Sequence, residues 1–244
     1  NLYSLHKDLI SGNYKHGGYK HFKINDPKSR DIHKASVRDR IVHHCLYRSL
    51  YDYFNKFFIY DSYSCRFGKG THKALDQFLK FGISGSLSNK KTVWILKCDI
   101  KKCFASVDQN ILKIILKRHI FCPKILGVIN SVIDSFNSGF VDKGLPLGNL
   151  TSQLFINIYL NELDQVMKKI FNINKYVRYA DDFVIFNKDK DYLLELTPKI
   201  AIFLEKELKL LLHPDKIHLK TFSSGMDFLG WVHFPNHRVL RTST

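Results

Sequence analysis

Two adjacent carboxylates, Asp181 and Asp182, interrupt the stretch "VRYADDFVIF" (Val177 to Phe186), which is otherwise mostly apolar or aromatic. Val177, Tyr179, Phe183, Val184, Ile185 and Phe186 read as two short β-strands, with "ADD" as the turn between them. Like charges side by side in such a setting raise each other's pKa and resist burial. One Asp in a turn needs no special reason, but two in succession do. A third carboxylate, Asp99, ends the apolar strand "VWILKCDI" (Val93 to Ile100). Divalent cations relieve such repulsion. Two Mg²⁺ ions, roughly 3.5–4 Å apart, take oxygen ligands and clamp the attacking and leaving oxygens of an in-line phosphoryl transfer. Mn²⁺ accepts the same kinds of ligand.

Positive charge fits that chemistry. Thirty-eight Lys and Arg against twenty-two Asp and Glu give a formal +16, which points to a polyanionic partner. Nucleic acid is the first candidate and an anionic membrane surface the second. In "YKHGGYKHFKI" (Tyr14 to Ile24) aromatic and basic residues interleave, a texture common in strand-stacking proteins. No apolar run reaches transmembrane length, so no membrane span is expected. No signal peptide is visible at Asn1-Leu2-Tyr3, and a first residue other than Met points to a true N-terminus further upstream. Five cysteines (Cys45, Cys65, Cys98, Cys103, Cys122) form no CxxC pair, which argues for a reducing cytoplasm and mostly buried thiols.

The 244 residues suffice for one large domain or two small ones. Val37 to Phe58 has helical periodicity, with Val37, Ile41, Cys45, Leu46 and Leu50 expected on its buried face. The polar loop "GISGSLSNKKT" (Gly82 to Thr92) is the clearest internal boundary. Beyond the Asp99 strand, Asp108 is placed to cap an amphipathic helix, and Pro123 to open another that runs to Phe136. A long helix is expected from Leu150 to Phe171, then the acidic hairpin, then a helix from about Leu193 to Leu211 that stops before Pro214. Strands at Ile217 to Lys220 and Met226 to His233 follow. This order predicts an α+β layer of strands backed by helices, not a doubly wound sheet.

"LKCDIKKCF", "KGLPLGNLTSQLF", "VRYADDFVIF" and "FLGWVHF" occur in that order, which resembles the palm motifs of reverse transcriptases. The upstream "SVRDRIVHH" and "YSCRFGKGTHKAL" resemble fingers motifs of the bacterial members. The resemblance implies a right-hand polymerase palm, an antiparallel sheet backed by helices, with fingers and an absent or truncated thumb. On it, 1–90 would be the N-terminal fingers, 91–106 the first palm segment and 107–142 connecting helices. Residues 143–236 would be the remaining palm and 237–244 the start of the thumb.

The residue roles implied are these. Asp99, Asp181 and Asp182 would hold two Mg²⁺ ions (or Mn²⁺), with a backbone carbonyl from Ile100. Lys216 in "HPDKIHLK" resembles a lysine that protonates departing pyrophosphate. Arg66 and Lys69 match positions that meet the triphosphate, and Phe104 an aromatic that excludes a 2′-hydroxyl. Leu147, Gly148 and Gln153 lie in the nucleotide-selecting box. Lys28, Arg30, Arg38 and Arg40 would contact template or nucleotide phosphates. Tyr179 would face nucleic acid, as would Gly230 and Trp231 of the primer-grip-like "FLGWVHF". Template RNA, primer or cDNA and deoxynucleotides are the implied partners.

Within the family, "GLPLGNLTSQLFINIYLNELD" (Gly144 to Asp164) is most similar to the enzymes of diversity-generating retroelements. Leu147 stands where retroviral and group II intron enzymes usually carry Gln, and an amide appears at Gln153. That subgroup implies error-prone cDNA synthesis, a small basic oligomeric accessory protein and a bacterial or phage origin. Antiphage and abortive-infection enzymes share the box and are the first alternative; a group II intron maturase is the next. An RNA-dependent RNA polymerase and a silent RNA-binding scaffold are the readings from outside the family.

Overall fold

A computed structural model of the chain describes residues 2–25 and 29–242, so Lys28 lies outside the described residues. In chain order the first elements are α1 (Leu2–Ser11), β1 (Tyr19–Asn25), β2 (Ser29–Ala35), α2 (Val37–Asn55) and α3 (Thr71–Gly85). Next come β3 (Trp94–Asp99), α4 (Cys103–Ser106), α5 (Gln109–Lys117), α6 (Pro123–Asp134) and α7 (Leu150–Gln165), which runs into a π-helical turn (Val166–Ile170). Then follow β4 (Tyr176–Tyr179), β5 (Asp182–Asn187), α8 (Lys190–Leu208), a 3₁₀ turn (Pro214–Lys216) and β6 (His218–Thr221). The strands β7 (Met226–Phe228), β8 (Trp231–His233) and β9 (Arg238–Leu240) complete the described chain. The α+β expectation holds. No helix among the described residues is long and apolar enough to cross a membrane.

The chain divides into two compact units, one of Asn1–Phe57 with Lys102–Leu160 and one of Phe58–Lys101 with Asn161–Thr244. In the first, β1 and β2 pair antiparallel from Tyr19↔Ala35 to Asn25↔Ser29. The basic and aromatic texture of Tyr14 to Ile24 concealed this hairpin, because most of its residues are exposed and give no alternating apolar signal. Asp108 caps α5 by accepting from the Ile111 N–H, as expected, and Ser36 likewise caps α2 by accepting from the Asp39 N–H. The buried face of α2 differs from the expected one: it carries Asp39, Val42, His43, Leu46, Leu50 and Phe54, while Val37 and Cys45 are exposed. The apolar count misled because Asp39 and His43 are buried polar groups. Asp39 accepts from the hydroxyls of Tyr14 and Ser36 and from the Gly17 N–H, and His43 Nδ1 meets Thr151 Oγ1 at 2.5 Å.

In the second unit an antiparallel sheet has the order β4-β5-β3-β6. Alternation along the strands gives it two faces. On one, Ile95, Val177, Val184 and Phe186 meet Ala74, Leu75 and Phe78 of α3, together with Phe222, Met226 and Phe228. The same face continues, by register, through Lys97 to the pair Asp99↔Asp182. Leu96, Cys98, Tyr176, Phe183 and Ile185 are buried on the other. Helix α3 claims Gly82–Gly85, the first four residues of the loop expected at Gly82 to Thr92. Helix α8 ends at Lys209 in the left-handed region and carries Pro198 in its interior. Within the segment expected to open a thumb, Arg238–Leu240 form β9, which pairs with β8. Of the cysteines only Cys98 and Cys103 are buried; Cys45, Cys65 and Cys122 are exposed.

Candidate active site

β4 and β5 close on the pair Tyr179↔Asp182, which leaves Ala180 and Asp181 as a two-residue turn. Ala180 has φ 55°, a left-handed value at a position where hairpins usually place glycine. Strain of this kind persists only where the surroundings fix the backbone. The Ile100 N–H donates to the Asp181 carbonyl at 3.1 Å, which ties the end of β3 to that turn. Antiparallel pairing sets Asp182 directly opposite Asp99. Sequence-distant carboxylates are thus brought together by backbone register.

Two ammonium groups face them. Lys216 Nζ donates to Asp99 Oδ2 at 2.9 Å, and Lys97 Nζ stands 3.6 Å from Asp182 Oδ2. Asp182 Oδ1 is buried and accepts no hydrogen bond. Burial above all, then Asp99 and Asp181, pushes the Asp182 carboxyl up to about 7, while Lys97 pulls the other way. An acceptor-only oxygen without a donor, among three carboxylates on adjoining backbone, suits a hard divalent cation in kind. The cage is not preassembled: among the described residues no three His, Cys, Asp or Glu side chains group closely enough to hold a metal ion. Lys97 and Lys216 take up part of the carboxylates' acceptor capacity instead.

Tyr179 accepts a hydrogen bond from Thr71 Oγ1 at 3.1 Å. Arg66 and Lys69 turn into their own loop. Arg66 donates to the carbonyls of Ile59 and Ser62 at 2.7 and 2.8 Å, and Lys69 Nζ donates to the Tyr60 carbonyl while lying 3.3 Å from that ring's centroid. Burial lowers the Lys69 pKa. The Ile100 side chain is buried. Leu229 and Gly230, with φ 52° and 83°, form the turn between β7 and β8, and Trp231 stacks under Arg238.

The remaining candidates lie in the first unit. Phe104 is half-buried on α4, and its carbonyl accepts from the Leu145 N–H. The Leu147 carbonyl accepts from the His33 N–H of β2. Gly148 has φ 99°, and a Cβ there would lie 2.8 Å from Ile32 Cγ2. Gln153 is half-buried in the first turn of α7, and Arg30 and Arg40 are exposed. Arg38 pairs with Asp8 at 2.7 Å, so its charge is already engaged.

Sequence reading passed over Lys97, Arg178, Asp164 and Asn149. Lys97 and Arg178 are charges inside apolar strands, a signal as strong as that of the acidic pair. Asn149 bridges the box to β2, donating to the His33 carbonyl at 2.7 Å and accepting from the Ala35 N–H at 3.4 Å.

An antiparallel sheet with carboxylates at the end of one strand and in the facing hairpin turn defines a polymerase-type palm. Residues 23–233 match the family described as reverse transcriptase (RNA-dependent DNA polymerase), and the chain belongs to that family. It is 25% identical to Protein YkfC of Escherichia coli over 98% of this chain and 71% of that protein. It is 22% identical to the putative COX1/OXI3 intron 2 protein of Saccharomyces cerevisiae, over 94% of this chain but 34% of the relative. Among solved structures, apo telomerase from Candida tropicalis superposes with a TM-score of 0.68 at 15% identity, over 98% of this chain and 53% of that one. The chain therefore spans about half of that telomerase and a third of the yeast intron protein. Members of the reverse transcriptase family generally use divalent metal ions.

Proposed function

We propose that this chain is the polymerase core of an RNA-directed DNA polymerase that extends a primer 3′-hydroxyl with deoxynucleotides. The observation that carries the reading is the Asp99↔Asp182 register pair with its partnerless buried oxygen. Asp99, Asp181 and Asp182 are the residues we assign to hold Mg²⁺, with Mn²⁺ as substitute. When bound, such ions acidify the attacking hydroxyl and steady the leaving pyrophosphate. Lys216, already at Asp99, is suited to pass a proton from Nζ to the pyrophosphate oxygen as the P–O bond breaks. Lys97 offsets part of the charge on Asp182. Of the two loop cations, Lys69 is held by one carbonyl and Arg66 by two, so Lys69 is the easier to release toward a triphosphate. Phe104 is our candidate for sugar discrimination; Tyr179, Gly230 and Trp231 are those for primer and template. Exposed Arg30 and Arg40 would add a salt-dependent phosphate grip.

The test is primer extension on an RNA template with deoxynucleotides and ribonucleotides supplied separately. Asp181→Asn abolishes extension with folding intact, and Phe104→Ala admits ribonucleotides. Full activity in Asp181→Asn refutes the site, and unchanged sugar selection removes the role of Phe104.

Two subgroup readings remain, each with its own support. Leu147 and Gln153 favour error-prone copying of the diversity-generating kind, because losing a polar contact to the nucleotide removes energy that separates correct from incorrect pairing. Relatives named as intron proteins favour an intron-encoded enzyme. Error sequencing of Leu147→Gln tests the first reading: fewer errors opposite template adenine support it, and unchanged errors count against it.

A further inference from the structure

Behind the acidic turn, on the sheet face opposite Asp182, lies an ion pair with no exposed surface. Arg178 is the residue opposite Phe183 on β4, and both Arg178 and its partner Asp164 are 0% exposed. Arg178 Nε donates to Asp164 Oδ1 at 2.8 Å and Nη2 to Oδ2 at 2.6 Å, a bidentate clamp. The Tyr176 hydroxyl donates to the same Asp164 Oδ1 at 2.8 Å, so the carboxylate is fully engaged. The rest of the guanidinium reaches elsewhere. Nη1 donates to the Ala180 carbonyl at 3.1 Å, and Nη2 also donates to Ser62 Oγ at 3.1 Å.

Stability alone accounts poorly for this arrangement. Desolvating an ion pair this fully costs about as much as the pair returns, and apolar residues of similar volume would serve folding as well or better. What apolar residues cannot supply is a directed donor to the Ala180 carbonyl. That carbonyl belongs to the residue with φ 55°, which sets the direction in which Asp181 and Asp182 leave the turn. The backbone of Arg178 adds a second tie: its N–H donates to the Asp61 carbonyl, and its own carbonyl accepts from the Tyr63 N–H, both at 2.9 Å. One residue thus joins the acidic turn to the loop that carries Arg66 and Lys69.

We propose that Arg178, held by Asp164, is a positioning residue that fixes the Asp181–Asp182 turn for divalent-ion binding and catalysis. The inference rests on the polymerase reading above. It concerns how the carboxylates are aimed, not which atoms react.

The experiment compares wild type with Arg178→Lys, the double variant Asp164→Leu/Arg178→Met and Ser62→Ala. Lysine keeps a charge for Asp164 but cannot donate to three acceptors in a planar fork. The double variant removes both charges without stranding either. Ser62→Ala deletes one acceptor and leaves the ion pair whole. Three quantities are read on each: the thermal melt, steady-state kcat and KM for deoxynucleotide, and Mn²⁺ affinity by electron paramagnetic resonance without nucleic acid. For Arg178→Lys and the double variant we expect a cooperative melt, a kcat lower by about 100-fold with little change in KM, and Mn²⁺ binding weaker by about 10-fold. For Ser62→Ala we expect kcat lower by about threefold. A cooperatively folding Arg178→Lys or double variant with wild-type kcat and Mn²⁺ affinity overturns the proposal and leaves the pair a structural one. Should neither fold, Ser62→Ala decides, and wild-type values there overturn it equally. Wild-type protein that binds Mn²⁺ yet extends no primer instead refutes the polymerase reading.

Discussion

Replacing Asp182 by Asn separates what this carboxylate costs the fold from what it supplies to chemistry. Its Oδ1 is buried without a donor, and the side chain faces Asp99 across the sheet. In the folded protein its pKa is pushed from 3.8 up to about 7, mainly by burial. The folded state therefore holds this proton more tightly than the unfolded chain does, so ionisation works against folding. That penalty is absent below the unfolded pKa near 4, grows as pH rises and is complete above about 7. The displacement corresponds to at most about 4 kcal/mol, at ~1.4 kcal/mol for each pH unit. Asparagine keeps the shape and removes the charge, but its amide inherits the poorly satisfied position, which takes back about 1–3 kcal/mol. Asp182→Asn in EDTA should accordingly be more stable than wild type by about 1–3 kcal/mol at pH 8, with the advantage shrinking toward pH 4. Urea unfolding followed by circular dichroism at the two pH values measures this, and primer extension by the same variant should be lost. A variant less stable than wild type at pH 8, or equally displaced at both pH values, would refute the reasoning.

Gly148→Ala should lower stability by about 1–3 kcal/mol, because a side chain at φ 99° is strained and its Cβ meets Ile32; unfolding by urea checks it, and a neutral result counts against the turn geometry. Pro198→Ala should raise stability by about 1–3 kcal/mol, since Pro198 sits exposed inside α8 and withholds a helical N–H; an unchanged midpoint would show that the helix has already adapted. His43 and His233 are pushed down to about 4 by burial, so the unfolded chain binds their protons first and stability falls as pH drops from 6.5 toward 4. This loss should be clearest in the Asp182→Asn protein, where the opposing carboxylate is gone, and a midpoint flat between pH 7 and 5 in that background would contradict it.

The acidic turn, the Asp99 strand and the Asp108-capped helix were legible because each carries a local signature: paired charges in an apolar run, or a cap just before an amphipathic repeat. The family motifs added the order of the palm segments. Three features escaped for physical reasons. The β1–β2 hairpin exposes most of its residues, so no alternation marks it. The face of α2 was displaced because Asp39 and His43 are buried through hydrogen bonds that only the folded chain supplies. The clamp on Ala180 joins Asp164, Arg178 and Ser62, which are far apart in sequence, and single-chain periodicity contains no trace of such a triangle. Phe104 and Lys69 were visible as residue types, but their contacts depend on the placement of the short helix α4 and on the conformation of the Lys69 loop, which the sequence leaves open.

Lys97 and Lys216 give the carboxylate end of the sheet a consequence for how the protein is handled before it meets a substrate. On the proposed metal role, resident ammonium groups already beside Asp99 and Asp182 would make loading an ion an exchange of one positive charge for another, not the filling of a bare acidic hole. On that reading the fold is expected to form without a bound ion. Chelators should silence such a protein without melting it.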